Sequence, residues 1–350
     1  MPPPGFTPGA YGRLPTGPVR RSFFSRLLRS LAVGVMILSV LLNLYLGLLV
    51  FRLVASNESV LRAGNPLQRI VVVPVEGGID GDMATYFRET MQRLNQNPPR
   101  AVVLRVDSGG GGVSASDQMW DALNTFKNHH PKVPVVASFG SVAASGGYYI
   151  AAPCDYIFCE RTGITGSIGV IAQVPALESL AAMAGVEMNT VVADGSPKKE
   201  VANNLFKNWR NNEGTLNEGG LASQAVLKKL TNSAWNRFVE VVDQGRTQLD
   251  RSEVQKLATG EVYTALEAEA LGLVDGVGYL NQAIDKAAEL AGLDANAKPH
   301  VTQIRRDGGL MGMLGARRSA SSKLPGFAQV DSPEALRTWI EDFTQARLSY

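Results

Sequence analysis

The residues that could do chemistry lie in two glycine-rich turns and one pair of lysines. The first turn, Gly140-Ser141-Val142-Ala143-Ala144-Ser145-Gly146-Gly147-Tyr148-Tyr149, follows the apolar run VPVVAS and leads into a helix-like stretch. Small neighbours leave Ser145 approachable, and a serine at a strand-to-helix turn sits near the positive end of a helix dipole, where developing negative charge is stabilised. The spacing is not that of a Gly-x-Ser-x-Gly elbow. Small residues also permit close helix contact, so the pattern fits a nucleophile and a packing turn alike.

The second turn is Val106-Asp107-Ser108-Gly109-Gly110-Gly111-Gly112-Val113. Four glycines free the backbone to turn sharply and direct N–H groups at an anion or a carbonyl oxygen. It lacks the Gly-Lys-Ser/Thr end of a Walker loop and the spacing of a dinucleotide fingerprint. A loop that merely needs positive φ is the plainer alternative.

A serine nucleophile requires a base. His129 and His130 adjoin Pro131 in a loop and His300 lies in the tail region, so all three read as surface residues. Lysine is the remaining option, as in Ser-Lys variants of the triad, and Lys198 and Lys199 after Gly195-Ser196-Pro197 are the candidates. A lysine with a reference pKa of about 10.4 accepts a proton at neutral pH only if burial depresses that value by several units. Ser196-x-x-Lys199 also matches a penicillin-binding motif, but the companion Ser-Asp-Asn and Lys-Thr-Gly motifs are missing. Two cysteines and three histidines give poor odds for a zinc site, and no metal or cofactor is expected.

The elements that must hold these residues alternate short β-branched runs with amphipathic stretches, the pattern of an α/β layered domain. Strands are expected at Ile70 to Val75, Ala101 to Val106, Val133 to Ser138, Asp155 to Cys159, Ile168 to Ala172 and Asn189 to Val192. Several are too uniformly apolar for a solvated face and belong in a covered sheet. Ser114 to Asn128 reads as a helix opened by a Ser114-x-x-Asp117 capping box. Gly219 to Ala291 reads as mostly helical with a break at Gly260 to Tyr263. Cys154 and Cys159 flank a strand and stand about 16 Å apart, too far for a mutual disulfide, so both are expected as buried free thiols. Trp209, Trp235 and the Tyr148-Tyr149 pair could line a groove, although aromatic residues at such spacing more often belong to the core.

The charges are uneven along the 350 residues. Residues 1 to 30 carry five arginines and no acidic group, and Leu31 to Phe51 is an uncharged run of 21 residues. About 20 apolar residues span a bilayer as a helix, and the arginine excess places the N-terminus in the cytoplasm. The expected organisation is a flexible cytoplasmic tail over 1–30, a transmembrane helix over 31–51, a catalytic domain over 69–295 outside the membrane, and a linker with a final helix over 296–350. Val54-Ala55-Ser56 would suit signal-peptide cleavage, but the apolar stretch exceeds the usual length of about 7 to 15 residues. A net charge of +2, from 34 basic and 32 acidic residues, gives no field to attract nucleic acid.

The run Gly140 to Ala151 (GSVAASGGYYIA) followed by Thr165 to Ile171 (TGSIGVI) resembles signal peptide peptidase A, a family of membrane-anchored serine proteases in the Clp protease/crotonase superfamily. Asp107 to Val113 is similar to that family's Asn-Ser-Pro-Gly-Gly-Gly-Val loop, and Gly260 to Leu280 to its C-terminal helix and Gly-Leu-Val-Asp turn. The similarity runs from Arg69 to Leu293. It implies a layered α/β fold with repeated ββα units, a nucleophile at Ser145 and a general-base lysine at Lys198, with Lys199 in reserve. It further implies an oxyanion hole from the Gly110 and Gly146 N–H groups and a lysine-orienting hydroxyl on Ser167. Peptide substrates such as remnant signal peptides, a bacterial inner-membrane location, and ring- or dome-shaped homo-oligomers are implied too. Two features depart from the family: Asp107 and Gly109 replace Asn and Pro, and the Asn-rich segment Glu200 to Asn217 lacks the Ser-Pro-Phe-Arg continuation. The rival readings are an inactive membrane scaffold of the same fold and a crotonase-like acyl-CoA enzyme, the latter at odds with a domain outside the cytoplasm.

Overall fold

The computed structural model describes residues 23–54, 58–174, 178–185, 191–196, 199, 209–211, 214–294 and 298–306. The chain divides into two units, Met1–Ser56 and Asn57–Tyr350.

In the first unit, helix α1 (Phe23–Val54) begins eight residues before Leu31, inside the stretch expected to be a flexible tail. Its Ser30–Gly47 window has a mean hydropathy of 2.0, and none of it is buried against protein. At 1.5 Å per residue the helix exceeds the roughly 30 Å of a hydrocarbon core. Within that window Asn43 Nδ2 donates to the Ser39 carbonyl at 2.7 Å.

The second unit is a mixed sheet covered by helices. Its strands are β1 (Glu58–Arg62), β2 (Asn65–Glu76), β3 (Ala101–Ser108), β4 (Val135–Ala144), β5 (Tyr156–Cys159), β6 (Ile164–Gly166), β7 (Val262–Thr264), β8 (Gly276–Val277) and β9 (Pro299–Ile304). The order is β1-β9-β2-β3-β4-β5-β8, with β6 attached to β4 and β7 to β6. From β9 through β8 the neighbours are parallel, while β1 runs antiparallel to β9 and β7 to β6.

Alternation along the central strands explains the layering. Val71, Val73 and Val75 of β2 and Val102, Leu104 and Val106 of β3 enter the larger core, beneath α2 (Gly81–Gln96), α3 (Val113–His129) and α4 (Gly146–Ala151). Ile70, Val72, Ala101 and Val103 face the other way, onto Ala283, Ile284 and Ala287 of α9 (Leu280–Leu290). With both faces covered, the central parts of these strands read as largely apolar runs. The remaining helices are α5 (Glu178–Met183), α6 (Glu218–Gly245), α7 (Arg251–Leu257) and α8 (Ala265–Ala270).

Several expectations require correction. Ile168 to Ala172 is not a strand: Ile168 is buried, but Ile171 is 83% exposed and no strand pairs with the segment. Asn189 and Thr190 lie outside the described residues, and Val191 and Val192 carry no strand. Helix α3 starts at Val113 behind Gly112, without a side-chain cap, so the Ser114/Asp117 box does not form. The sheet extends past 69–295 at both ends, because β1 precedes Arg69 and β9 fills the space between β1 and β2. His300 is thus on a strand, not in a tail. The proposed helix Asp331 to Ser349 lies outside the described residues.

Cys154 and Cys159 are free and buried, and burial pushes their thiols up to about 12 and about 11. The Gly-Leu-Val-Asp turn has a structural task. Asp275 receives two hydrogen bonds from Arg246, at 2.7 and 2.9 Å, and its Oδ2 also accepts the Ile157 N–H of β5 at 2.8 Å. Arg246 is 2% exposed. Such a buried guanidinium is held by paired, fork-shaped hydrogen bonding.

Candidate active site

Ser145 stands where β4 gives way to α4. Ala144 pairs with Gly166 of β6, the Ser145 N–H donates to the Gly166 carbonyl at 2.8 Å, and its own carbonyl accepts the Tyr149 N–H at 2.9 Å. Between these constraints the backbone adopts φ 52° and ψ −121°, with the side chain making no cap bond to the helix. A positive φ at a residue with Cβ costs on the order of 1–3 kcal/mol and persists only where the surroundings over-determine it. Here they do, and at this half-buried residue Oγ makes no hydrogen bond among the described residues.

The packing role read from the small residues is visible in the structure. A Cβ on Gly146 would collide with Ser116 Oγ, and one on Gly147 would lie 2.8 Å from the Ser108 carbonyl. Close packing by α3 and β3 therefore requires the glycines that also expose Ser145.

The glycine loop meets the same turn. Gly110 has φ +98°, and a Cβ there would stand 2.7 Å from the Gly146 nitrogen and 2.8 Å from Ser145 Cβ. Only glycine leaves that space open. The loop is fixed from outside by Ile79, whose N–H donates to the Gly110 carbonyl at 3.1 Å and whose carbonyl accepts the Gly112 N–H at 2.8 Å. Asp107, where the resembling family has asparagine, accepts the Val142 N–H on Oδ1 at 3.2 Å and so ties β3 to β4.

The two expected oxyanion donors differ in their present partners. The Gly146 N–H opens α4 and has no intrahelical acceptor. The Gly110 N–H donates to Ser108 Oγ at 3.1 Å, while that hydroxyl donates to the Gly77 carbonyl at 2.6 Å.

Beside Ser145 lies a cleft walled by Val113, Tyr149, Val170, Ala234 and Phe238, with Ser116 at its edge. Ala234 and Phe238 come from α6 and were not foreseen; their helical periodicity marks a buried face without saying what that face meets. Tyr149 Oη donates to Asp117 Oδ1 at 2.5 Å, Arg237 Nε donates to the same oxygen at 3.2 Å, and the guanidinium sits 4.4 Å from the centre of the Trp120 ring. Burial, then the bond to Asp117, raises the Tyr149 hydroxyl well above its ordinary range. Asp117, expected as a helix cap, instead links α3, α4 and α6.

The other aromatic candidates belong to the core or its margin. Tyr148 is fully buried with Oη on the Leu273 carbonyl at 2.8 Å, and Trp235 Nε1 donates to the Ala258 carbonyl at 2.8 Å. Trp209 is half-buried, its backbone against Gly220. His129 and His130 are engaged with Asn95, and neither they nor His300 line the Ser145 cleft.

Ser167 follows Gly166 directly. Its φ is +48° and its N–H donates to the Glu261 carbonyl at 2.6 Å. Lys199 is exposed, with its N–H donating to the Ser196 carbonyl at 3.0 Å. Lys198 and most of the Asn-rich segment lie outside the described residues. The structure thus joins Ser145, Gly110 and Gly146 in one place and sets Ser167 just past the end of β6, whose Gly166 supports the Ser145 turn.

Comparison with known proteins bears on the family. The Peptidase family S49 model matches residues 127–294 and the Clp protease model residues 56–157. Protease 4 of Haemophilus influenzae is 34% identical over 236 residues, covering 65% of this chain and 35% of that one. A Synechocystis chain described as a protease is 34% identical over 227 residues, covering 65% of this chain and 76% of that one. The chloroplastic serine protease SPPA of Arabidopsis thaliana is 28% identical over 258 residues, covering 71% and 34% respectively. The chain therefore spans about a third of the Haemophilus and Arabidopsis proteins and about three quarters of the Synechocystis one. A solved 1510-N membrane-bound stomatin-specific protease covers 69% of this chain and 98% of its own, at 14% identity and a TM-score of 0.41. With the identity sustained over most of the Synechocystis relative, and the family model seated on the segment that carries Ser145, this chain belongs to peptidase family S49.

Proposed function

We propose that the protein is a serine endopeptidase tethered to a membrane by α1, its second unit lying outside the cytoplasm. Ser145 Oγ attacks a peptide carbonyl while a neutral lysine takes its proton. The lysine is Lys198, with Lys199 as the alternative, and Ser167 orients its amine. The developing oxyanion is received by the Gly146 and Gly110 N–H groups, the acyl-enzyme is resolved by water, and no cofactor takes part. Substrates are short apolar peptides such as signal-peptide remnants. The apolar wall of Val113, Val170, Ala234 and Phe238 supports that choice, as does an anchor that keeps the site beside the bilayer. Assembly into homo-oligomers forms part of the proposal.

One observation carries the reading. Ser145 holds a strained, positive-φ conformation at the head of α4, against the one loop position where a Cβ would fill the space between Ser145 and the Gly146 N–H.

The test is treatment of the detergent-solubilised full chain with a fluorophosphonate and mapping of the adduct by mass spectrometry, with Ser145→Ala as control. An adduct confined to Ser145 is expected. Its absence in a folded protein would move the assignment to a noncatalytic scaffold.

A further inference from the structure

Gly110 stands against the nucleophile, yet its N–H is spent on a neighbour. Ser108 Oγ accepts it at 3.1 Å while donating to the Gly77 carbonyl at 2.6 Å. Ser108 is 1% exposed, so water is poorly placed to compete for either bond. An oxyanion donor acts only when aimed at the site where the charge develops.

The mobility needed to re-aim it is confined to one peptide unit. On the far side, the Gly110 carbonyl and the Gly112 N–H are both pinned by Ile79. On the near side, Ser108 is the last residue of β3 and is buried. Between them Gly109 is exposed, and a Cβ built there would touch nothing within 4 Å. The unit that can turn is therefore the peptide linking Gly109 to Gly110. Both of its pivots are glycines, so no Cβ opposes the rotation.

Resting on the serine-peptidase reading, we propose that Ser108 is a positioning residue that holds the Gly110 N–H off the reaction axis. Entry of a substrate carbonyl then turns the Gly109–Gly110 peptide and delivers that N–H to the oxyanion. The resting chain has one donor ready, from Gly146, and acquires the second only as acylation proceeds. Ser108 thereby makes the complete hole depend on an occupied cleft.

The direct test is the crystal structure of the full-length protein after reaction with a fluorophosphonate. The expected result is the Gly110 nitrogen within hydrogen-bond distance of the phosphonyl oxygen and more than 3.5 Å from Ser108 Oγ, a separation too long for a hydrogen bond. An adduct on Ser145 with the Gly110 N–H still on Ser108 overturns the proposal and leaves the peptidase reading intact. No adduct at all overturns the reading beneath it.

A kinetic arm distinguishes withholding from support. Ser108→Ala removes the competing acceptor, and phosphonylation of Ser145 is expected to accelerate roughly fivefold, the factor equivalent to one neutral hydrogen bond of about 1 kcal/mol. A merely structural serine gives a lower melting temperature and no acceleration. Labelling unchanged or slower in a folded variant refutes the withholding role. The structure of the wild-type adduct decides the matter even if the variant folds poorly.

Discussion

Gly110→Ala places one methyl group where the site has least room. Its Cβ would stand 2.7 Å from the Gly146 nitrogen and 2.8 Å from Ser145 Cβ, whereas ordinary carbon contacts begin near 3.5 Å. The nucleophile turn must therefore retreat by roughly 0.7 Å, and misplacement on the order of 1 Å costs about 100-fold in rate. Loss of one oxyanion donor alone costs about 10²–10³ in kcat. The φ of +98° adds about 1–2 kcal/mol of strain to the folded state for a residue with Cβ, equivalent to a fall of roughly 2–8 °C in Tm for a domain of this size. The expected variant is folded, melts a few degrees lower and is phosphonylated at Ser145 about 100-fold more slowly, with KM for peptides little changed. The assay pairs a stopped time course of fluorophosphonate labelling with a thermal melt. A variant that melts low but labels within threefold of wild type would show that the space between Gly110 and Gly146 is not where the oxyanion forms.

Four further outcomes are expected. Ala234→Phe fills the cleft from α6 and should lower kcat/KM for substrates with large apolar side chains at least tenfold, while small ones suffer little; equal losses for both in a substrate panel would place the side-chain pocket elsewhere. Lys198→Ala should abolish peptide cleavage while Lys199→Ala keeps most of it, and the reverse pattern would show the base to be Lys199. Asp275→Ala strands the buried Arg246 guanidinium and should cost about 3–5 kcal/mol by urea unfolding; a loss under 1 kcal/mol would mean that the pair is not maintained in solution. The folded-state thiols of Cys154 and Cys159 lie at about 12 and about 11, above their value of 9.0 outside the fold. Folding thus holds protons that the unfolded chain releases, and stability falls above about pH 9 by up to about 1.4 kcal/mol per pH unit for each thiol. That slope should shrink in the Cys154→Ala/Cys159→Ala variant, and an unchanged urea-midpoint profile would show the thiols to be uninvolved.

The central strands were legible because strands covered on both faces must be largely apolar, as Ile70 to Val75 and, apart from Arg105, Ala101 to Val106 are. β1 and β9 were not, since ESVLR and PHVTQI are short and partly polar and owe their strand conformation to each other and to β2. Ile168 to Ala172 misled for the converse reason: an apolar run becomes a strand only if a partner edge awaits it. The turns at Ser145 and at the glycine loop could be read from local pattern, because a sharp turn packed closely against its neighbours needs small residues. Ala234 and Phe238 could not, since α6 reaches the cleft only through the tertiary fold. The bond between the Gly110 N–H and Ser108 could not be read either. It depends on the orientation of a peptide flanked by glycines, about which side chains say nothing.

The place of β9 in the sheet bears on how the protein is made. Ile304 pairs with Glu58, and Thr302 with both Val60 and Val71, so one of the last described segments is wedged between the first two strands of the domain. Such pairing across nearly the whole length of the domain is slow to form. While the chain is being synthesised N-terminus first, β2 keeps an open edge until some 230 later residues have followed, and unpaired edges of this kind recruit other chains. A nascent chain halted before Pro299 would hold its Ser145 turn and most of its core with that edge unprotected. Folding therefore favours, over early collapse, an intermediate whose open β2 edge is shielded until β9 arrives.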